Sequence, residues 1–289
     1  MYDASTPIDE VMSDPALGRG ARLQFPVSRS YWSGATLGEL QLTWYTHIRP
    51  ATTVAVANYL HDEAASGRQV FYDIYTQEER EAAPALQDTG LFYFKGRPGG
   101  RCAMLCAGGG FLYVGAMQDS FPQALELSRR GYNALALIYR SGQQAACQDL
   151  ARAIAFMHER AAQLELDPAG YSLWGGSAGG RMAALLGAEG AQAFGGPALP
   201  RAAAVITPYT GFAEYSEHEC PTFACVGEED TIASWRTVKK RLETLEGMGI
   251  PTEFHSYPGL GHGFGLGLGT VAEGWLDQAV SFWERQLGS

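Results

Sequence analysis

The sequence contains no run of eighteen or more apolar residues, and it has few basic ones: 21 Lys and Arg against 31 Asp and Glu give a formal net charge of −10. A helix that spans a bilayer needs about 20 apolar residues, so we expect no membrane span. A chain of this charge repels a phosphate backbone, and no basic stripe offsets that repulsion. Nucleic-acid binding is therefore disfavoured.

Cysteine is also scarce. The five cysteines are odd in number, and no two of them form a CxxC pair. They are Cys102, Cys106, Cys147, Cys220 and Cys225. The first residues carry acid and lack the apolar core of a secretory signal. We therefore expect reduced, mostly buried thiols in a cytoplasmic protein. The sequence has no HExxH motif and no Cys/His cluster with zinc spacing, so we expect neither a metal nor an organic cofactor.

Glycine, by contrast, is abundant. The chain has 36 glycines among 289 residues, which is about 12% against a usual ~7%. The extra glycines cluster at residues 108–110, 175–180 and 259–269. Such clusters indicate tight turns and close backbone approach at particular places.

Strand and helix patterns alternate from residue 69 onward, after a predicted helix over 52–66 and a segment, 1–50, without a regular pattern. The predicted strands are 70–75, 91–94, 102–106, 133–139, 171–174, 203–206, 222–226 and 252–257. The further predicted helices are 120–130, with Ser120 as N-cap and Gln123 in the capping-box position, 147–164, 178–187, 232–246 and 270–286. This alternation indicates a single α/β domain with a mostly parallel central sheet and helices on both faces. In such sheets the chemistry collects at the carboxyl ends of the strands.

One serine lies in a G-x-S-x-G motif, Gly175-Gly176-Ser177-Ala178-Gly179. The pattern alone is weak in a glycine-rich chain, but here the serine follows a predicted strand and opens a predicted helix. That context is typical of a nucleophile elbow, a turn so sharp that side chains two residues either side of the serine would collide. The alternative is a purely structural role, in which the segment is a glycine-rich turn and the serine caps the helix.

A second glycine cluster, Gly108-Gly109-Gly110, follows the predicted strand 102–106. Acyl transfer needs donors fixed on a developing negative oxygen, and glycine amides can approach that closely. We expect the amides of Gly109, Gly110 and Ala178 to form an oxyanion hole. A flexible turn is the alternative, and a phosphate loop is disfavoured because neither GK[ST] nor GxGxxG is present.

A serine nucleophile needs a base, and the base needs a carboxylate. Three acids, Glu228, Glu229 and Asp230, follow the predicted strand 222–226. We favour Asp230 and keep both glutamates as alternatives. Among six histidines, His262 lies in the loop between the last predicted strand and helix. The chain order of serine, acid and histidine is then the one expected for this architecture.

These motifs together make the chain resemble the α/β-hydrolase superfamily, specifically its bacterial esterase and acetylesterase/lipase-like branch. The resemblance covers about residues 69–287 and rests on the glycine loop with Phe111, the Tyr139-Arg140 pair, the elbow, the 227–230 turn and the 257–264 loop. Many relatives have a histidine before the glycine loop, where this chain has Ala107. What braces the loop here is therefore an open question.

The resemblance implies hydrolysis of small acyl esters through an acyl-serine, with sugar deacetylation as one option and a small-molecule ester as the partner. Phe111, Tyr113 and Phe264 flank the motifs and are candidate substrate-binding residues, although plain core packing is the alternative. Arg140 and Asp149 are interpreted as a structural ion pair. Two other functions stay open: a serine peptidase of the prolyl-oligopeptidase kind, and a binding protein that kept the fold without the chemistry.

The sequence divides into an N-terminal extension, residues 1–68, and a catalytic domain, residues 69–289. The extension lies outside the part that carries the resemblance. A cap over the site and a contact in a homo-oligomer are both open as its role.

Overall fold

Ten strands and nine α-helices make up the part of the chain described by the computed structural model, residues 1–288. The strands are β1 (Trp32–Ser33), β2 (Gln41–Leu42), β3 (Phe71–Tyr72), β4 (Gly90–Phe94), β5 (Gly100–Cys106), β6 (Asn133–Ile138), β7 (Leu166–Gly175), β8 (Ala204–Ile206), β9 (Thr222–Gly227) and β10 (Thr252–Tyr257). The helices are α1 (Ile8–Met12), α2 (Gly20–Leu23), α3 (Pro50–Ala65), α4 (Gln77–Ala82), α5 (Ser120–Arg129), α6 (Gln143–Glu159), α7 (Ala178–Glu189), α8 (Trp235–Gly247) and α9 (Trp275–Leu287).

Eight of the strands form one sheet in the order β10-β9-β8-β7-β5-β6-β4-β3. β4 runs antiparallel to both of its neighbours, and the pairs from β6 to β10 are parallel. The chain moves outward from β5 to β6 and then returns to β7 on the other side of β5. The loops after β5 and β7 therefore lie side by side at a switch point, where α/β sheets place their ligand sites.

Helices cover both faces of this sheet. Every residue of β4, β6 and β9 is buried, which requires cover above and below the strands. α6 packs against α7, while an ion pair between Arg130 and Asp277 joins the end of α5 to α9. The predicted architecture, a mostly parallel sheet between two helical layers, is confirmed.

Several predicted boundaries are shifted, for physical reasons. Ser120 lies inside α5 rather than capping it, and its hydroxyl has no hydrogen-bond partner among residues 1–288. Gln123 instead donates to the Asp119 carboxylate at 3.0 Å. The predicted helix from 232 begins only at Trp235, because the Asp230 carboxylate holds the amides of the preceding turn.

Two further predicted helices, 147–164 and 270–286, extend beyond the helices that the structure shows. α6 covers Gln143–Glu159. The apolar residues predicted to lie at its carboxyl end belong instead to the turn that follows the helix, and they contact the core from there. α9 starts at Trp275 rather than at 270, since Gly274 adopts a left-handed conformation with φ +92° directly before it. Periodicity of apolar residues marks a buried face, but it does not locate the residue at which a helix stops.

The segment before residue 69 is more regular than its sequence indicated. It holds α1, α2, the short antiparallel pair of β1 and β2, and α3. Side chains of Ile8, Val11, Leu23 and Phe25 belong to the same buried cluster as those of the sheet. The segment is thus packed against the remainder of the chain through a shared core. Within residues 1–288, no helix combines the length and the apolarity needed to cross a bilayer.

Candidate active site

Ser177 occupies a sharp turn between β7 and α7. Its backbone has φ +53° and ψ −120°, a conformation that L-residues rarely adopt. A Cβ on Gly175 would lie 2.3 Å from the carbonyl carbon of Gly179, and a Cβ on Gly179 would lie 2.0 Å from the carbonyl oxygen of Cys106. Only glycine fits at these two positions, as the sequence predicts for an elbow, and the strained turn leaves the serine partly exposed.

The structure brings Ser177, His262 and Asp230 into one hydrogen-bonded row. His262 Nε2 lies 3.1 Å from Ser177 Oγ, and His262 Nδ1 lies 2.7 Å from Asp230 Oδ2. The imidazole and the carboxylate are both buried. This is the geometry in which an imidazole can accept the serine proton while the carboxylate fixes its orientation.

Asp230, rather than either glutamate before it, contacts the histidine. Its Oδ1 accepts the amides of Ile232 and Ala233 at 2.8 and 2.7 Å, which fixes the carboxylate and leaves Oδ2 for the imidazole. Glu228 instead accepts from the Ser256 hydroxyl at 2.8 Å, and Glu229 is exposed. The order of the three acids along the chain could not separate them, because it is the local turn that decides which one points inward.

The glycine loop lies directly against Ser177. A Cβ on Gly108 would come within 3.1 Å of Ser177 Cβ. Gly109 and Gly110 have φ +135° and +63°, so their amides are turned by backbone that favours glycine. Among residues 1–288, the amides of Gly109, Gly110 and Ala178 donate to no acceptor. Free N–H groups on the loop that contacts Ser177, and on the residue that follows Ser177, suit an oxyanion.

A buried carboxylate that sequence reasoning missed, Asp119, braces this loop. Its Oδ2 accepts the Gly108 amide at 2.7 Å and the Tyr45 hydroxyl at 3.0 Å. Its Oδ1 accepts from the Tyr209 hydroxyl and from Gln123. Burial raises the pKa of Asp119, although the hydrogen bonds from Tyr209, Gly108 and Tyr45 act in the opposite direction. The only signal in the sequence was an acid directly before a predicted helix, the position of an N-cap.

The three candidate substrate-binding aromatics are placed differently from one another. Phe111 has φ +58° and is partly exposed. Tyr113 is 5% exposed and stacks on Tyr31, and Phe264 is 1% exposed and meets Tyr209 edge-on at 4.9 Å. Burial gives the last two rings a packing role under the loops, and contact with substrate stays a prediction for all three.

The predicted Arg140–Asp149 ion pair is present. The guanidinium Nη2 lies 2.7 Å from Oδ1 of the fully buried carboxylate, which also accepts the Tyr75 hydroxyl at 2.6 Å. Beside it, a cavity of about 480 Å³ lies between the N-terminal segment and the glycine loop, with Phe25, Val27 and Leu112 in its wall. Ser177, Asp230 and His262 are not among the described residues that line this cavity.

The sheet order, the elbow turn and the hydrogen-bonded row are features of the α/β-hydrolase fold, and comparisons with known proteins support this fold. The profile of the BD-FAE family matches residues 100–205. No curated protein matches the chain by sequence. Solved structures with the same fold are matched over most of their length.

Three of these structures illustrate the likeness. An acetyl ester-xyloside bifunctional hydrolase from Caldicellulosiruptor lactoaceticus matches with a TM-score of 0.64 and 20% identity, over 74% of this chain and 95% of that one. The esterase Est2 from Thermogutta terrifontis, solved with propionate bound, gives 0.58 and 22%, over 68% and 89%. MGS-M1, an α/β-hydrolase from a Medee basin deep-sea metagenome library, gives 0.59 and 22%, over 70% and 93%. At these identities the likeness establishes the α/β-hydrolase fold of this chain.

Proposed function

We propose that this protein is a serine carboxylesterase that hydrolyses small acyl esters, acetyl esters of sugars among them. The observation that carries the proposal is the row of Ser177, His262 and Asp230 beside free backbone amides. Two structural neighbours, an acetyl ester-xyloside hydrolase and an esterase with bound propionate, support a short acyl group.

In the proposed mechanism, Ser177 Oγ attacks the ester carbonyl carbon while His262 Nε2 takes its proton. The carbonyl π electrons move onto oxygen, and the amides of Gly109, Gly110 and Ala178 stabilise the resulting anion. When the carbonyl re-forms, the bond to the alcohol oxygen breaks and His262 returns the proton to that oxygen. Water then attacks the acyl-serine by the same steps and releases the acid and free Ser177.

The intact row argues against a non-catalytic binding protein, which has no need of a nucleophile on strained backbone. A peptidase would use the same groups on an amide, so substrate choice must be measured. The test is turnover of p-nitrophenyl acetate, butyrate and octanoate, with a peptide p-nitroanilide in parallel.

For the variant Ser177→Ala we expect kcat/KM on the acetate ester to fall by at least about 10⁴-fold, because the nucleophile is lost. Ser141→Ala is the matched control, since its hydroxyl follows β6 and donates only to the Leu112 carbonyl oxygen. It should retain wild-type turnover. Ester hydrolysis that persists in Ser177→Ala would show that Ser177 is not the nucleophile. Cleavage of the anilide, without cleavage of any ester, would show that the protein is a peptidase.

A further inference from the structure

Five residues of the N-terminal segment, 43–47, run past the candidate active site between β2 and α3; we call them the strap. The strap touches the two loops that carry the chemistry. The Thr43 carbonyl oxygen accepts the Tyr113 hydroxyl, beyond the glycine loop, and the Thr46 hydroxyl donates to the His262 carbonyl oxygen at 2.6 Å. Loops that belong to different strands are therefore joined by one short segment.

Tyr45 fixes the middle of the strap. Its hydroxyl donates to the Asp119 carboxylate, the same group that holds the Gly108 amide. A Cβ on Gly115 would lie 2.7 Å from the Tyr45 hydroxyl oxygen, and one on Gly263 would lie 2.9 Å from its ring. Glycines on both loops thus make room for this side chain, which indicates that the strap is built into the site.

Trp44 is the unusual residue of the strap. Its φ is +73°, in the left-handed region that is unfavourable for a bulky side chain, and 40% of its surface is exposed. The ring stacks on Tyr113 with centroids 5.9 Å apart, and a Cβ on Gly110 would lie 2.9 Å from it. A strained backbone that holds an exposed indole over an oxyanion donor calls for a functional explanation.

The position of the Trp44 indole relative to the reacting atoms indicates which part of the ester the indole contacts. The leaving oxygen must lie within reach of His262 Nε2, because that atom returns the proton. The acyl substituent extends on the other side of the carbonyl carbon, away from the imidazole. The indole packs on Gly110 and Tyr113, both on the glycine-loop side of the site.

We infer, resting on the proposed function, that the strap forms a wall of the acyl site and that the Trp44 ring limits the length of the acyl group. The substrates are then esters of acetic and similarly short acids. The N-terminal segment supplies specificity to the hydrolase, in addition to sharing its core.

The test is the variant Trp44→Gly, because glycine suits the left-handed backbone of this position and removes the ring without a new strain. In wild type, kcat/KM should fall steeply from p-nitrophenyl acetate to octanoate. In the variant the octanoate-to-acetate ratio should rise at least tenfold, since each methylene admitted to a pocket changes discrimination by about tenfold or more. Trp44→Ala should shift the ratio in the same direction.

Tyr132→Ala serves as the control, since Tyr132 is also a partly exposed aromatic but lies directly before β6, at the amino ends of the parallel strands and so at the end of the sheet opposite the candidate site. Its chain-length ratio should equal that of wild type. An unchanged ratio in both Trp44 variants, with active and folded protein, overturns the inference alone. If the Trp44 variants gain kcat/KM only on acetates of larger alcohols, the ring limits the alcohol portion, and the assignment to the acyl group is wrong. No turnover of any ester by wild type overturns the proposed function and this inference with it.

Discussion

At the residue scale, Asp230 and Glu228 have similar chemistry and different surroundings. Asp230 receives two backbone amides on one oxygen and presents the other to His262, whereas Glu228 is engaged by a serine on the edge strand. Because the proposed mechanism requires the imidazole to gain a charge, only a carboxylate that is already held in place can stabilise it without reorganisation.

We expect Asp230→Asn to lower kcat by about 10³–10⁴-fold, because an amide nitrogen facing Nδ1 favours the wrong imidazole tautomer. Glu228→Gln and Glu229→Gln are the matched controls and should change kcat little. The measurement is steady-state hydrolysis of p-nitrophenyl acetate by the three variants. A large loss of kcat in either glutamate variant, together with an active Asp230→Asn variant, would show that the glutamate and not Asp230 is the acid that orients His262.

Candidate site residues whose placement depends on local backbone could be predicted from the sequence, and those whose placement depends on distant partners could not. Ser177 is marked by glycines two positions away on each side, and His262 by its place after the last strand. The contacts of Asp119 come from residues 45, 108, 123 and 209, which no sequence window contains together. The same limit hid Trp44, since only the fold brings the strap to the glycine loop.

At the element scale, the glycine loop is held by the buried Asp119 carboxylate, which accepts the Gly108 amide. We expect Asp119→Ala to lower kcat on p-nitrophenyl acetate by about tenfold or more, because the Gly108 amide loses its acceptor and the neighbouring oxyanion donors shift. An unpaired buried amide also costs about 1–3 kcal/mol of unfolding free energy.

Asp119→Asn separates positioning from stability, since its amide oxygen can still accept from Gly108. We expect this conservative variant to recover most of kcat and to recover less of the free energy of unfolding, measured by urea denaturation. If Asp119→Ala were to lose stability while keeping the wild-type kcat, Asp119 would serve the core and not the loop.

At the scale of the whole molecule, a buried carboxylate anchors the chain's first residues. Asp14 accepts from the Tyr2 hydroxyl at 2.9 Å and from His61 at 2.7 Å. Burial acts to raise the pKa of Asp14, but the hydrogen bonds from His61, the Ala16 amide and Tyr2 hold it below its usual value. The folded state therefore favours the ionised form.

A lowered pKa in the folded state means that Asp14 contributes stability above its unfolded pKa, about 3.9, and loses it as the pH falls through the folded value. We expect Asp14→Asn to lower the free energy of unfolding by about 1–3 kcal/mol at pH 7, with the gap to wild type narrowing below about pH 4. Urea denaturation of wild type and Asp14→Asn across this pH range measures the difference in their free energies of unfolding. Asp9→Asn, at an exposed ion pair with Arg29, is the control; an equal and pH-independent effect of both substitutions would contradict the anchor.

In the proposed mechanism, the placement of His262 after β10 links catalysis to the most peripheral part of the sheet. β10 is the edge strand, and all six of its residues are only half-buried, while the elbow belongs to a central strand. Edge elements open by local fluctuation at lower free energy than the core needs to unfold. Local unfolding of β10 would move His262 away from Ser177 while the rest of the molecule stays folded. We therefore expect warming to abolish the esterase activity reversibly at a temperature below that of global unfolding.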